Sequence, residues 1–128
     1  MSEFYVGLMS GTSMDGIDAV LVSFGAASVD IRATHSEPYP QDLRDALLAA
    51  IRKPLHLELD QSGELDRMVG ECFRDAARAV IAKSGISGPS VVAIGSHGQT
   101  LRHQPNAKEP FSLQIGDADI IAAGTQTK

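Results

Sequence analysis

Two short segments concentrate the side chains that could do chemistry. The first runs Ser10, Gly11, Thr12, Ser13, Met14, Asp15, Gly16 and Ile17, and puts three hydroxyls, two glycines and a carboxylate into eight residues. Phosphate oxygens need N–H and O–H donors that come close. The glycines permit close approach and unusual φ angles, and each Ser or Thr offers both a hydroxyl and an amide. Such clusters form anion-binding nests. The segment lacks Gly-Lys-Ser/Thr, so it is not a Walker P-loop. An apolar, strand-like run follows it, so it reads as a β-hairpin turn that holds phosphates. Asp15 would repel those phosphates unless a cation stood between, and a magnesium ion, bound directly or through water, resolves the conflict. On composition alone the plainer reading carries more weight: Ser-Gly-Thr and Asp-Gly are ordinary hairpin-turn residues. Asp18, just beyond, reads as a solvent-facing strand residue.

The second segment is Gly95, Ser96, His97, Gly98, Gln99 and Thr100, a polar turn after a short apolar run. Ligands gather at the C-terminal ends of strands in α/β sheets, and His97 and Gln99 could hydrogen-bond sugar hydroxyls. A satisfied structural histidine is an equally good reading of His97. The other histidines, His35, His56 and His103, lack ligand spacing, so no metal-only site is expected.

Around these segments the pattern is α/β. Residues 4–9, 17–24 and 28–35 read as three successive strands; in the last, Val29, Ile31 and Ala33 alternate with Asp30 and Arg32. Short turns between them predict an antiparallel meander. Pro38 and Pro40 break the chain. Leu43, Leu47, Leu48 and Ile51 then predict a helix over 41–52, ended by Pro54. A longer helix is expected over 60–84, with Leu65, Met68, Val69, Cys72, Ala76 and Val80 as its apolar face, Asp60 or Ser62 as its cap, and Lys83 and Gly85 at its end. A short strand over 91–94, the 95–100 turn, a hairpin over 101–113 tipped by Pro105 and Asn106, a turn over 114–117 and a helix from 118 complete the pattern. The expected architecture is one domain over residues 1–128, a mixed sheet with flanking helices.

Composition narrows the class. The 128 residues are 43% hydrophobic with a net charge of −5, which disfavours a nucleic-acid binder. A single cysteine, Cys72, excludes an internal disulfide, suits a reducing cytoplasm, and at helical spacing among apolar residues reads as a buried structural thiol. The start, Met1-Ser2-Glu3-Phe4, is unlike a signal peptide, and no apolar run is long enough to span a bilayer. A cytoplasmic protein is expected.

Taken together, the segments resemble a known family. Gly7-Leu8-Met9-Ser10-Gly11-Thr12-Ser13-Met14-Asp15-Gly16-Ile17-Asp18 is similar to the N-terminal signature of the anhydro-N-acetylmuramic acid kinases. Ile94-Gly95-Ser96-His97-Gly98-Gln99-Thr100-Leu101-Arg102-His103 resembles their second signature, and Phe111-Ser112-Leu113-Gln114-Ile115-Gly116-Asp117 a third. The resemblance covers the whole chain. It implies the ribonuclease-H-like, actin-like ATPase fold shared by acetate and sugar kinases, heat-shock chaperones and actin, with ATP in a cleft between two domains. It implies ATP- and magnesium-dependent opening of the 1,6-anhydro ring by water with phosphorylation of the 6-oxygen, giving N-acetylmuramic acid 6-phosphate in cell-wall recycling. The ATP-phosphate segment maps onto Ser10 to Ile17, with Asp15 near the Mg-ATP. Ser96, His97, Gly98 and Gln99 fall on the sugar side.

Members of that family are longer, so the resemblance also implies that this chain is the N-terminal part of the first domain, without the second. The family's catalytic aspartate, in an Asp-Phe-Arg-like segment, is expected beyond Lys128. The isolated chain is therefore expected to be inactive, its exposed sheet and cleft wall aggregation-prone, and any homodimer a property of the full-length form. Two other readings stay open: a non-catalytic remnant that binds nucleotide weakly, and a ribonuclease-H-like nuclease. The nuclease would need several carboxylates converging on two metals, and the acidic balance and hydroxyl-rich turn argue against it.

Overall fold

The computed structural model describes residues 3–128. Strands β1 (Glu3–Met9), β2 (Gly16–Phe24) and β3 (Val29–Pro38) form the expected antiparallel meander. The chain then crosses through helices α1 (Gln41–Arg52) and α2 (Leu59–Ser84) to strand β4 (Val91–Ser96), which lies parallel to β1. The sheet order is β3-β2-β1-β4. Strands β5 (Gln99–Gln104) and β6 (Phe111–Ile115) form a separate antiparallel pair, and helix α3 (Ala118–Thr125) follows. The architecture is α/β with a mixed sheet.

One face of the sheet makes the core. Val6 and Leu8 of β1, with Ile17, Ala19 and Leu21 of β2, point at α2. That helix answers with Leu65, Val69, Phe73, Ala76, Ala77 and Val80, all buried, and α1 adds Leu43 and Leu47. The period of two in the strands and of 3.6 in the helices places these side chains on facing surfaces. Met9, Phe24, Val29 and Ile31 are exposed. Val29 and Ile31 alternate with polar neighbours, yet residues 29–32 of this edge strand are exposed on both faces. No helix is long and apolar enough to cross a membrane among the described residues.

Several details differ from the sequence reading. Helix α2 starts at Leu59 with Glu58 as its cap residue, not Asp60 or Ser62: the Glu58 amide donates to Gln61 Oε1 at 3.0 Å, and the Ser62 hydroxyl turns back to the Glu58 carbonyl. Its end is as expected, with Gly85 left-handed at φ 74°. Met68 is exposed, while Phe73 takes the centre of the buried arc. Cys72 is half-buried. Burial first, then the carboxylates of Asp75, Glu37 and Glu71, pushes its thiol up to about 11, so it stays protonated and unreactive at neutral pH. The 95–100 turn shrinks to His97 and Gly98, with β4 running through Ser96 and β5 starting at Gln99.

Candidate phosphate-binding site

The 10–17 loop joins β1 to β2, and its buried residues explain its shape. Met14 and Ile17 drop their side chains fully into the core. Reaching the core from this tight turn puts Met14 at φ 57°, so the left-handed residue of the loop is Met14 rather than a glycine. A non-glycine residue pays ~1–2 kcal/mol for that backbone, and burying a methionine side chain is worth ~1.5–3 kcal/mol, so the core contact wins. Arg44 of α1 adds a hydrogen bond from Nε to the Met14 carbonyl at 3.1 Å. The Met14 amide closes the turn onto the Gly11 carbonyl at 3.2 Å.

Gly11, Thr12 and Ser13 are thereby pushed outward and exposed. The Thr12 and Ser13 amides donate to no group among the described residues. Gly16 serves the sheet: a Cβ there would run into the Glu37 carbonyl and lie 2.9 Å from Pro38 Cα. A hollow of about 400 Å³ lies beside the loop, lined by Gly11, Ser13, Asp15, Asp18 and Pro38 among others. The Asp15 side chain is 80% exposed and meets Arg44 Nη2 at 3.5 Å. A surface pair of that kind is worth ~0–1 kcal/mol, so the carboxylate is readily given up to a cation. Asp18 is a solvent-facing strand residue that accepts from the Ser36 hydroxyl at 2.7 Å.

Ser10 behaves differently from its neighbours. It is buried, and its hydroxyl lies 2.7 Å from the Gly16 carbonyl and 2.6 Å from Gln99 Oε1, so it braces the loop from within instead of facing a ligand. Gln99 is wholly buried. Its Oε1 also accepts from the Tyr39 hydroxyl at 3.0 Å, and its Nε2 donates to the Gly11 and Thr100 carbonyls, each at 3.3 Å. Two carbonyls on one side, and on the other the Tyr39 hydroxyl with the Ser10 hydroxyl shared between Oε1 and the Gly16 carbonyl, fix the amide's orientation and fill its surroundings. Gln99 therefore has no capacity left for a sugar hydroxyl. Of the second segment, Ser96 and His97 are the exposed side chains. His97 extends the β1–β4 pairing through its amide to the Leu8 carbonyl at 2.9 Å, and lines a hollow of about 570 Å³ with Gly7, Met9, Asp18, Ser36 and Gly95.

The third segment packs against the second through glycine. Gly98 has φ 74°, and a Cβ on it would sit 2.5 Å from the Ile115 carbonyl oxygen. Gly116, at φ 127°, donates its amide to the Asp66 carboxylate at 2.7 Å, and the Asp117 amide reaches the Asp66 carbonyl at 3.2 Å. Helix α2 can come this close because Gly70 lacks a Cβ, which would lie 2.8 Å from the Asp117 amide. The first segment, distant in the chain from the other two, thus joins them in one connected wall. Sequence reading missed Tyr39, Arg44, Asp66 and Gly70. Only Gly70 carried a signal: a glycine inside a helix costs ~1 kcal/mol against alanine and asks for a packing reason.

A family model described as anhydro-N-acetylmuramic acid kinase matches residues 3–128. The chain is 48% identical over 127 residues to a protein of that name from Shewanella halifaxensis, and 50% identical over 123 residues to one from Shewanella amazonensis. A protein of the same name from Vibrio vulnificus is 46% identical over 123 residues. These alignments cover 96–97% of this chain and 33% of each relative, so the chain spans about a third of the length of the curated relatives it matches. With nearly the whole chain matched by the family model, the protein belongs to the anhydro-N-acetylmuramic acid kinase family.

Proposed function

We propose that the 10–17 loop holds the phosphates of Mg-ATP on its exposed turn, with Ser10 bracing it from within, and that the chain forms the phosphate-binding wall of a kinase with the actin-like ATPase fold. Its substrate on this reading is 1,6-anhydro-N-acetylmuramic acid. Water adds at the anhydro carbon, the bridging C–O bond breaks, and the freed 6-oxygen takes the γ-phosphoryl group of ATP. The products are N-acetylmuramic acid 6-phosphate and ADP. One observation carries the reading: an exposed Gly11-Thr12-Ser13 turn with open amides at Thr12 and Ser13, next to a loosely paired carboxylate, in a chain of this family.

The donor set suits magnesium bound with its nucleotide. Magnesium uses one or two carboxylates, waters and substrate phosphates rather than a protein cage, and Asp15 supplies one exposed carboxylate at the mouth of the hollow. The ion would offset phosphate charge there. Thr12 and Ser13 donate amides and hydroxyls to phosphate oxygens, and Gly11 leaves room for them. Met14 and Ile17 anchor the loop, since their side chains are in the core and the Met14 amide closes the turn. Ser96 and His97 are the side chains of the second segment free to reach the sugar.

Calorimetry with magnesium and a non-hydrolysable ATP analogue tests the loop. A Cβ at Gly11 would meet only Ser13 Oγ, at 3.9 Å, so Gly11→Ala and Gly11→Asp should both fold. The aspartate is expected to weaken binding at least tenfold, because a like charge at ~4 Å in an effective dielectric of ~20 costs ~4 kcal/mol. Equal affinity of Gly11→Asp and wild type would remove the phosphate assignment.

A further inference from the structure

Tyr39 lies outside all three signature segments, yet its hydroxyl ends in the buried network beneath the loop. It sits between Pro38, the last residue of β3, and Pro40, which precedes the first turn of α1. Pro40 restricts Tyr39 to extended backbone, so little backbone freedom is left to lose when its side chain turns inward. The side chain is buried, and its hydroxyl donates to Gln99 Oε1 at 3.0 Å. The same Oε1 lies 2.6 Å from the Ser10 hydroxyl, and Gln99 Nε2 holds the Gly11 carbonyl that receives the Met14 amide. An unbroken path of hydrogen bonds thus runs from the β3–α1 junction to the carbonyl that closes the exposed turn.

We propose that Tyr39 is a positioning residue for the phosphate loop: through Gln99 it sets the conformation in which Gly11, Thr12 and Ser13 meet phosphate. Without its proton, Gln99 Oε1 keeps only Ser10, whose single hydroxyl hydrogen is also drawn to the Gly16 carbonyl at 2.7 Å. The amide can then rotate and release Gly11. Burial pushes the Tyr39 phenol up to about 12, against a smaller lowering from the nearby Ser10 hydroxyl, so it remains a neutral donor at any physiological pH. The proposal rests on the phosphate reading of the loop, and its test separates the two.

The test uses the 15N-labelled 128-residue chain and the magnesium complex of a non-hydrolysable ATP analogue. Tyr39→Phe keeps the ring and removes one hydroxyl. Its amide resonances for residues 11–16 are expected to move or broaden while those of the α2 core, from Val69 to Val80, stay in place. Affinity for the analogue should fall about tenfold, the weight of one buried hydrogen bond. Phe73→Leu, in the core under α2, controls for general loss of stability: it should leave the loop resonances and the affinity unchanged. If Phe73→Leu weakens binding as much as Tyr39→Phe, or if Tyr39→Phe leaves loop and affinity as in wild type, the positioning role is wrong. Loop resonances that respond to Tyr39→Phe in a protein that binds no analogue would support the brace and overturn the phosphate reading.

Discussion

Gly98→Ala is expected to lower the unfolding free energy by ~3–5 kcal/mol in urea denaturation followed by circular dichroism. Two costs add. The residue is left-handed at φ 74°, which costs alanine ~1–2 kcal/mol. The new methyl group would also lie 2.5 Å from the Ile115 carbonyl oxygen, and backbone there cannot rotate away as a side chain could. Overpacking of that kind costs ~1–3 kcal/mol or more. Domains of this size hold only ~5–15 kcal/mol in total, so the variant should be near the limit of folding. Gly95→Ala is the matched comparison, three residues away in β4 with nothing within 4 Å of its Cβ and no positive φ. It should be neutral or stabilising by ~0.4–1 kcal/mol. Equal effects at the two positions would mean that β4 and the β5–β6 pair are not joined through Gly98 as described.

Gln99→Leu is expected to cost ~3–5 kcal/mol despite its similar volume. The leucine removes the acceptor for Tyr39 and the donors to the Gly11 and Thr100 carbonyls, whereas Ser10 can still donate to Gly16. Each orphaned buried group costs ~1–3 kcal/mol, and partial access of water to the two carbonyls keeps the sum near the lower end. Because Gln99 links the loop to β5, the same variant should also bind nucleotide more weakly than its stability loss alone explains. The check is thermal unfolding with and without the magnesium–nucleotide analogue. Wild type should gain in Tm on adding ligand and Gln99→Leu should gain much less. A leucine variant as stable as wild type would show that the buried amide is not the tie between the two segments.

The meander, both long helices and the short strand over 91–94 follow from local patterning, because alternation and three-four spacing depend on neighbours in sequence; the parallel pairing of that strand with β1 does not. The Gly-rich segments were also legible as turns, since few residue types tolerate such backbones. The roles inside them were not. Ser10 and Ser13 look alike in sequence, but Ser10, just past the end of β1, is buried against Gly16 and Gln99, and the Met14 anchor pushes Ser13 out. Gln99 looks like a ligand for sugar hydroxyls until its four partners are known, and two of these, Ser10 and Tyr39, are 89 and 60 residues away. Arg44 and Asp66 gave no local sign of what they hold. Their partners, Met14 and Gly116, come near only after the helices dock on the sheet. Glutamate is a poor cap by type, so nothing local marks Glu58; Gln61, reaching back to its amide, decides the helix start.

On the proposed reading, the turn from Gly11 to Asp15 should receive the phosphates of a magnesium-bound nucleotide. Amide chemical-shift mapping of the 15N-labelled chain, titrated with a non-hydrolysable ATP analogue in the presence and absence of magnesium, tests it most directly. The largest shifts should fall on Gly11, Thr12, Ser13 and Asp15, with those at Asp15 dependent on magnesium. Shifts confined to the hollow between α1 and α2, around Ala49, Lys53, Leu57 and Met68, would contradict it, as would a saturating titration that leaves the loop unmoved.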